Sequence, residues 1–431
     1  MKKRVVFFVA VMLLLSLFGC TEKPPVTSTP MTSTPSTTTP STNTTAGSNP
    51  GGDVTQPGVL DVDLSEPWAK PDIEYAYCAA FSEEGYYYLD NRVLNFMDTS
   101  NGISVVLCQK IGCEHKKEDC EAHLAMCYVM FYTDGYIYYN KFDLSDPYGV
   151  TLYRRKADGT AEEKVATLGG EYVSKDISVQ VGEFLAADGS LYYTLYTLEA
   201  VKKDENDPGE ILERDGILVR LDLNTGKQQE LLRDRDVLIR LFGARGNALL
   251  FHVFDKPPAE EIMDPDYYEK WANMYGRLNI WSATGGTVTL FEKKQKDCSW
   301  ILGFHGGNVY YYDDKNVFTY NLAQDKHTVM DLPYGFQLVN ENYIISDAQW
   351  IDLQTGKTVA REFVGAEMAV KNRTERGCIL EFRYNGEPCI DEYGQIVIPR
   401  LRTILGYIAY DALADGLQES DLLVIRDVEG K

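Results

Sequence analysis

The chain has 431 residues, 44% of them hydrophobic and 12% aromatic, and its 42 Lys and Arg against 64 Asp and Glu give a formal net charge of −22. A surface that acidic repels phosphate backbones and anionic headgroups, whose binding depends on Lys and Arg contacts, so a nucleic-acid partner is excluded.

In chain order, Met1, Lys2, Lys3 and Arg4 form a basic start, and Val5 to Phe18 is an apolar run of 14 residues. Gly19 and Cys20 follow. This is the layout of a signal peptide over residues 1–19. The run is shorter than the roughly 20 apolar residues a bilayer span requires, and no later stretch is long enough. After Cys20 the composition changes abruptly: 22 of the 30 residues from Thr21 to Pro50 are Thr, Ser or Pro. Such a segment has too little apolar surface to offset its ordering entropy, so residues 20–58 read as an anchor point followed by a disordered tether. The tether would reach on the order of 120 Å if fully extended and about 35 Å as a flexible coil.

Residues 59–431 show no second low-complexity linker and read as one folded domain. Removing the three basic residues of the signal leaves 39 Lys and Arg against 64 Asp and Glu, a net charge of −25. One phrase recurs along this domain. Its first element is an aromatic strand opening at Gly85-Tyr86-Tyr87-Tyr88, at Asp134-Gly135 before Tyr136 to Tyr139, at Asp188-Gly189 before Ser190 to Tyr193, and at Gly307-Asn308 before Val309 to Tyr312. The second is a hairpin around an Asp, Asn or Gly turn, from Leu94 to Gly102, Leu152 to Gly159, Leu218 to Gly226, Ile280 to Gly286, Val317 to Asp325 and Trp350 to Gly356, with Asn385-Gly386 as a seventh. Alternating strands on either side of turns that tolerate positive φ are hairpin signals. Strand units repeating every 40 to 50 residues or so predict an all-β protein, a β-propeller of about seven blades, with six or eight as neighbouring counts.

Leu17-Phe18-Gly19-Cys20 resembles the lipobox of bacterial lipoproteins, although Phe18 stands where a small residue is usual. That resemblance implies cleavage before Cys20 and acylation of its thiol with palmitate-type chains. With the Thr/Pro tether and the tyrosine-rich strand units, the chain is similar to the β-propeller lipoproteins secreted by Gram-positive, often anaerobic, bacteria. The resemblance implies a fold and a place, lipid-anchored on the extracytoplasmic side of the cell membrane, and no reaction.

Four of the eight remaining cysteines crowd together with two histidines: Cys108, Cys113, His115, Cys120, His123 and Cys127, spaced C-x4-C-x-H-x4-C-x2-H-x3-C. Three thiolates and an imidazole from Cys108, Cys113, His115 and Cys120 or Cys127 suit a closed, structural zinc site. Two disulfides are the competing reading in an oxidising compartment, and free thiols the third. Cys78, Cys298, Cys378 and Cys389 lie singly on predicted strands, where cysteine packs as a small hydrophobe. Cys378 and Cys389, on either side of Asn385-Gly386, are placed to face each other across a hairpin and form a further disulfide.

Catalytic signatures are missing from the sequence: there is no GxSxG, HExxH, P-loop or GxGxxG, and His252, His305 and His327 stand alone. Helical signal is confined to Pro257–Gly276, an acidic and aromatic insertion carrying Asp264, Asp266, Tyr267, Tyr268, Trp271 and Tyr275. Those four aromatics are the candidate ligand surface, able to stack on a glycan or grip a peptide, or else to cover a blade edge. Lys202 to Asp215 reads as a second, acidic and solvated insertion. The function expected is a membrane-anchored binding or scaffold propeller for a glycan, peptide or partner protein. The alternative is a glycan-active hydrolase or lyase with carboxylates at the channel mouth.

Overall fold

The computed structural model describes residues 79–429 except 83, 117–119, 125–126, 128, 143–149, 175, 202–209, 263, 299, 306, 314–315, 331–336, 339–342, 346–349, 353–365, 374–376, 391–395, 398 and 414–418. The signal peptide, Cys20, the tether and Cys78 lie outside the described residues.

The unit of construction is a two-residue hairpin. Asp134 (φ 51°) with Gly135 (φ 79°), and Asp188 (φ 48°) with Gly189 (φ 70°), are all left-handed. Two consecutive positive φ angles reverse the chain with a twist that matches the strands on either side. Each such turn joins the first strand of a sheet to its aromatic second strand. The tyrosine-rich phrases are therefore second strands, each preceded by a strand with little turn signal of its own.

Among the described residues six four-stranded antiparallel sheets form the blades of a β-propeller. Blade 1 contains β1 (Ala79–Phe81), β2 (Gly85–Asp90), β3 (Val93–Asp98) and β4 (Ser104–Val106). Blade 2 contains β5 (Met130–Thr133), β6 (Tyr136–Phe142), β7 (Val150–Lys156) and β8 (Glu163–Leu168). Blade 3 has the longest strands, β9 (Ile177–Ala187), β10 (Ser190–Val201), β11 (Glu210–Asp222) and β12 (Gln228–Arg235). Blade 4 is β13 (Val237–Arg245), β14 (Ala248–Asp255), β15 (Tyr275–Ser282) and β16 (Gly286–Lys294), and blade 5 is β17 (Trp300–His305), β18 (Asn308–Tyr312), β19 (Val317–Asn321) and β20 (Lys326–Met330). A three-stranded sheet of β21 (Gln337–Leu338), β22 (Tyr343–Ile345) and β23 (Trp350–Asp352) comes next. The last blade pairs β24 (Ala366–Arg373) and β25 (Gly377–Asn385) with β28 (Arg400–Ala409) and β29 (Leu423–Glu429), after an excursion through the small hairpin β26 (Cys389–Ile390) and β27 (Ile396–Val397).

First strands of successive sheets are neighbours: β1 lies beside β5, β5 beside β9, β9 beside β13, β13 beside β17 and β17 beside β21. They line the axis, and each blade buries both faces against its neighbours. Along β10, Leu191, Tyr193 and Leu195 pack toward blade 2 while Tyr192 packs toward blade 4. Along β14, Leu249, Phe251 and Val253 face blade 3, and Ala248 and Leu250 face blade 5. The period-2 alternation of a strand thus serves two cores at once. The ring closes where Ala79, Tyr86 and Met97 of blade 1 meet Ile379, Leu405 and Tyr407 of the last blade.

Two expectations are corrected. Asn385-Gly386 is no tight hairpin: β25 pairs with β28, while Cys389 sits on β26 opposite Val397, so Cys378 and Cys389 do not face each other across a turn. The acidic insertion is shorter than expected, because Glu210 to Asp215 belong to β11, where Glu210 to Glu213 pair with β10 and Asp215 with β12. Among the described residues no helix is long and apolar enough to cross a membrane.

Candidate functional site

Two places concentrate chemistry, the cysteine loop between blades 1 and 2 and the insertion between β14 and β15. The loop leaves β4 with Cys108 donating its backbone N–H to the Val106 carbonyl (2.9 Å), then reverses so that the Cys113 N–H reaches the Lys110 carbonyl (3.2 Å). Gly112 (φ 73°) and His115 (φ 55°) are both left-handed, which folds the outgoing limb back toward the incoming one. The ligand atoms of Cys108, Cys113, His115 and Cys120 consequently all lie within 4.8 Å of one another, with Cys120 Sγ 3.5 Å from His115 Nδ1. Cys108, Cys113 and Cys120 carry no disulfide.

Burial raises the Cys120 thiol to about 11, helped by hydrogen bonds to the neighbouring sulfurs. Burial also acts on Cys108, but hydrogen bonds from the Lys110 backbone and the Cys120 and Cys113 thiols hold it below the usual thiol value. Cys127 and His123, the other members of the motif, stand apart from the four. The Cys127 thiol donates to the Val129 carbonyl (3.3 Å), and the His123 backbone bridges to Val93.

The insertion begins at Lys256, whose ammonium pairs with Glu213 of β11. A 3-10 turn over Ala259–Glu261 follows, with Glu260 bonded to Arg214 and 3.6 Å from Arg235. Lys270 ties the short helix α1 (Tyr267–Ala272) to Asp264 (2.8 Å) and Glu261 (2.6 Å). The Lys256 and Glu260 bonds hold the insertion against blade 3, and the Lys270 bonds tie its helix to its own loop. The four aromatics divide accordingly. Tyr267 is buried and turned inward, a packing residue and not part of an open surface. Tyr268 is 68% exposed and stacked on half-buried Trp271, ring centres 6.5 Å apart at 24°. Tyr275, 43% exposed, stands where the insertion rejoins β15.

A cleft of about 330 Å³ opens beside it on blade 3, lined among others by Tyr172, Glu199, Arg214, Asp215 and Arg233. Sequence reading did not find it, because its residues come from four strands and a 3-10 turn with no shared motif. Most of its charges are paired. Arg214 bonds Glu199 (2.7 Å), Arg233 bonds Asp215 (2.5 Å) and lies over the Tyr172 ring at 5.7 Å, and the Tyr172 hydroxyl donates to Glu230 (2.9 Å). Arg214 joins the cleft to the insertion, since it also holds Glu260. Of the lone histidines, His252 is buried in the sheet of blade 4, and His327 Nδ1 shares a 2.9 Å hydrogen bond with the Tyr311 hydroxyl.

No protein-family model matches the chain, and no curated protein matches it in sequence. Solved structures do. A puromycin hydrolase variant complexed with PGG aligns with TM-score 0.50 at 10% identity over 85% of this chain and 55% of its own. A puromycin-hydrolysing peptidase of Mycobacterium tuberculosis aligns with TM-score 0.48 at 10% identity, over 80% of this chain and 55% of its own. An oligogalacturonate lyase in complex with manganese gives TM-score 0.42 at 11% identity, over 81% and 93%. The chain spans about half the length of the two puromycin-hydrolysing proteins. At such identity the likeness is one of fold, and what it establishes for this chain is a β-propeller.

Proposed function

We propose that this protein is an extracytoplasmic binding propeller, held at the membrane through an acylated Cys20, that recognises glycans at the blade 3 cleft and the aromatic insertion beside it. The observation that carries the reading is the stacked pair Tyr268 and Trp271, presented on a short helix in an insertion that Glu260 and Lys256 tie to blade 3. Flat apolar rings next to polar groups that donate and accept hydrogen bonds suit the alternating faces of a sugar. Internal pairing of the cleft charges favours a neutral polyhydroxyl ligand over a strongly ionic one.

The same pairing speaks for binding over hydrolysis. A glycosidase needs two carboxyls free to face the scissile bond, whereas Glu199 and Asp215 are each engaged by an arginine side chain. The soluble domain starting at Val59 should bind members of a glycan array. Replacing Tyr268 and Trp271 together by alanine should weaken that binding at least tenfold, the scale of about 1.4 kcal/mol for lost aromatic anchors. Unchanged binding in the double variant would move the ligand elsewhere on the propeller.

Membrane attachment has its own test. Two or more acyl chains on one residue anchor stably because each buried methylene contributes about 0.8 kcal/mol. Cys20→Ala should shift the protein from the membrane pellet to the soluble fraction; retention in the pellet rules the anchor out.

A further inference from the structure

We infer that Cys108, Cys113, His115 and Cys120 bind one zinc ion, and that this ion is the clamp of the crossover from blade 1 to blade 2. A tetrahedral zinc with Zn–S near 2.3 Å and Zn–N near 2.0–2.1 Å separates its ligand atoms by about 3.8 Å between sulfurs and about 3.6 Å between sulfur and nitrogen. The Cys120 Sγ to His115 Nδ1 separation is 3.5 Å, and all four ligand atoms fall within 4.8 Å of one another. Three sulfurs cannot pair off as disulfides, and any one disulfide would remove two of the donors.

The donor set selects the metal. Thiolate sulfur and imidazole favour zinc over magnesium or calcium, which take oxygen. Four protein donors close the coordination sphere, so the ion is structural and has no position for a substrate. Binding releases the three thiol protons, and His115 coordinates through neutral Nδ1 with its remaining proton on Nε2.

The loop also shows why a clamp is needed. Its outgoing limb is largely exposed, with Ile111 fully so, and reaches the core only through half-buried Cys108 and Cys113. Its returning limb packs Cys120, Ala122 and Leu124 between blades 1 and 2. An ion held by Cys113 and His115 on one limb and Cys120 on the other joins the unpacked part to the packed part. The Leu107 carbonyl, next to Cys108, lies where a Cβ on Gly159 would come within 3.2 Å of it, so the clamped loop rests directly on the β7–β8 turn.

The test uses the full chain purified under reducing, chelator-free conditions. We expect one zinc per chain by elemental analysis, and exchange for cobalt(II) should produce the intense visible bands of a tetrahedral thiolate complex, a readout that needs no variant. Cys108→Ser and His115→Ala should lose the metal, while Cys127→Ser should keep one equivalent. Chelation should lower the urea midpoint of the wild type. A chain without zinc, whether its mass is lower by four hydrogens as two disulfides require or its thiols all titrate, overturns the site; loss of metal in Cys127→Ser overturns the ligand set.

Discussion

Truncating Tyr86 to alanine should lower the unfolding free energy by about 3–5 kcal/mol, the range for deleting a buried aromatic side chain, and should loosen the propeller at one seam. Tyr86 is 1% exposed, with its ring 4.6 Å from Phe81 and stacked 5.6 Å from Tyr88. Phe81 in turn contacts Tyr407 of the last blade at 5.7 Å. Elsewhere, consecutive blades are also joined by the chain running from one into the next. Among the described residues the first and last blades share no strand, so side-chain packing is what holds this seam. Hydrogen exchange should therefore speed up in β2, β25 and β28 before it does in β10 or β14. Tyr193→Ala, at the blade 2–blade 3 interface and fully buried, is the comparison: similar in cost, without that regional bias. Equal loss of protection across all blades in the Tyr86 variant would mean the ring unfolds as one unit and the seam has no separate stability.

The propeller was legible in the sequence because its hairpins depend on local chemistry. Asp134-Gly135 and Asp188-Gly189 reverse the chain through positive φ whatever packs against them, and the hairpins from Leu94, Leu152, Leu218, Ile280 and Val317 fall on third and fourth strands of their sheets. The innermost strands were hard to see. β1 has three residues, and β13 is bounded by no turn of its own beyond Asp236, so neither carries a pattern that tells it from loop. Asn385-Gly386 misled because a dipeptide specifies a bend and not what pairs beyond it; here a small hairpin intervenes before β28 returns.

The site was legible in part for the same reason. A metal motif is written in closely spaced residues, so the cysteine loop was readable, but the choice of four donors from six depends on which limbs the left-handed Gly112 and His115 bring together. The aromatic insertion was located, while the inward turn of Tyr267 comes from packing that no spacing encodes. The charged cleft and the half-buried ion pair of Arg155 with Glu162 (2.6 Å) join residues from separate strands or across a turn, where composition alone reads as solvated surface.

In the metal-free protein, lowering the pH from 7 to 5 should weaken the fold, and His252→Leu should remove much of that loss. His252 is 1% exposed on β14, its ring 3.7 Å from that of Phe254, and neither ring nitrogen has a hydrogen-bond partner among the described residues. A Cβ at Gly276 would lie 2.7 Å from its Nε2, so the pocket has no room for a water beside the ring on that side. Burial, reinforced by the Arg240 and Arg277 charges, lowers its pKa from 6.5 to about 3. The sign follows from proton counting. Above pH 6.5 the ring is neutral in both states and contributes no pH dependence; between 6.5 and 3 the unfolded chain binds a proton that the folded chain refuses, so stability falls as pH falls. One proton corresponds to 1.36 kcal/mol per pH unit, or about 2 kcal/mol lost by pH 5. His327, also lowered chiefly by burial, acts in the same direction. Asp255, raised by burial, acts in the opposite one but only as the pH nears the carboxylate range. Urea midpoints of the chelator-treated protein, measured at half-unit steps, should slope downward from pH 6.5 in the wild type and less steeply to pH 5 in His252→Leu, which keeps the His327 contribution. Parallel slopes in the two proteins would mean that His252 takes up its proton in the folded state, which only an opening between blades 4 and 5 would permit.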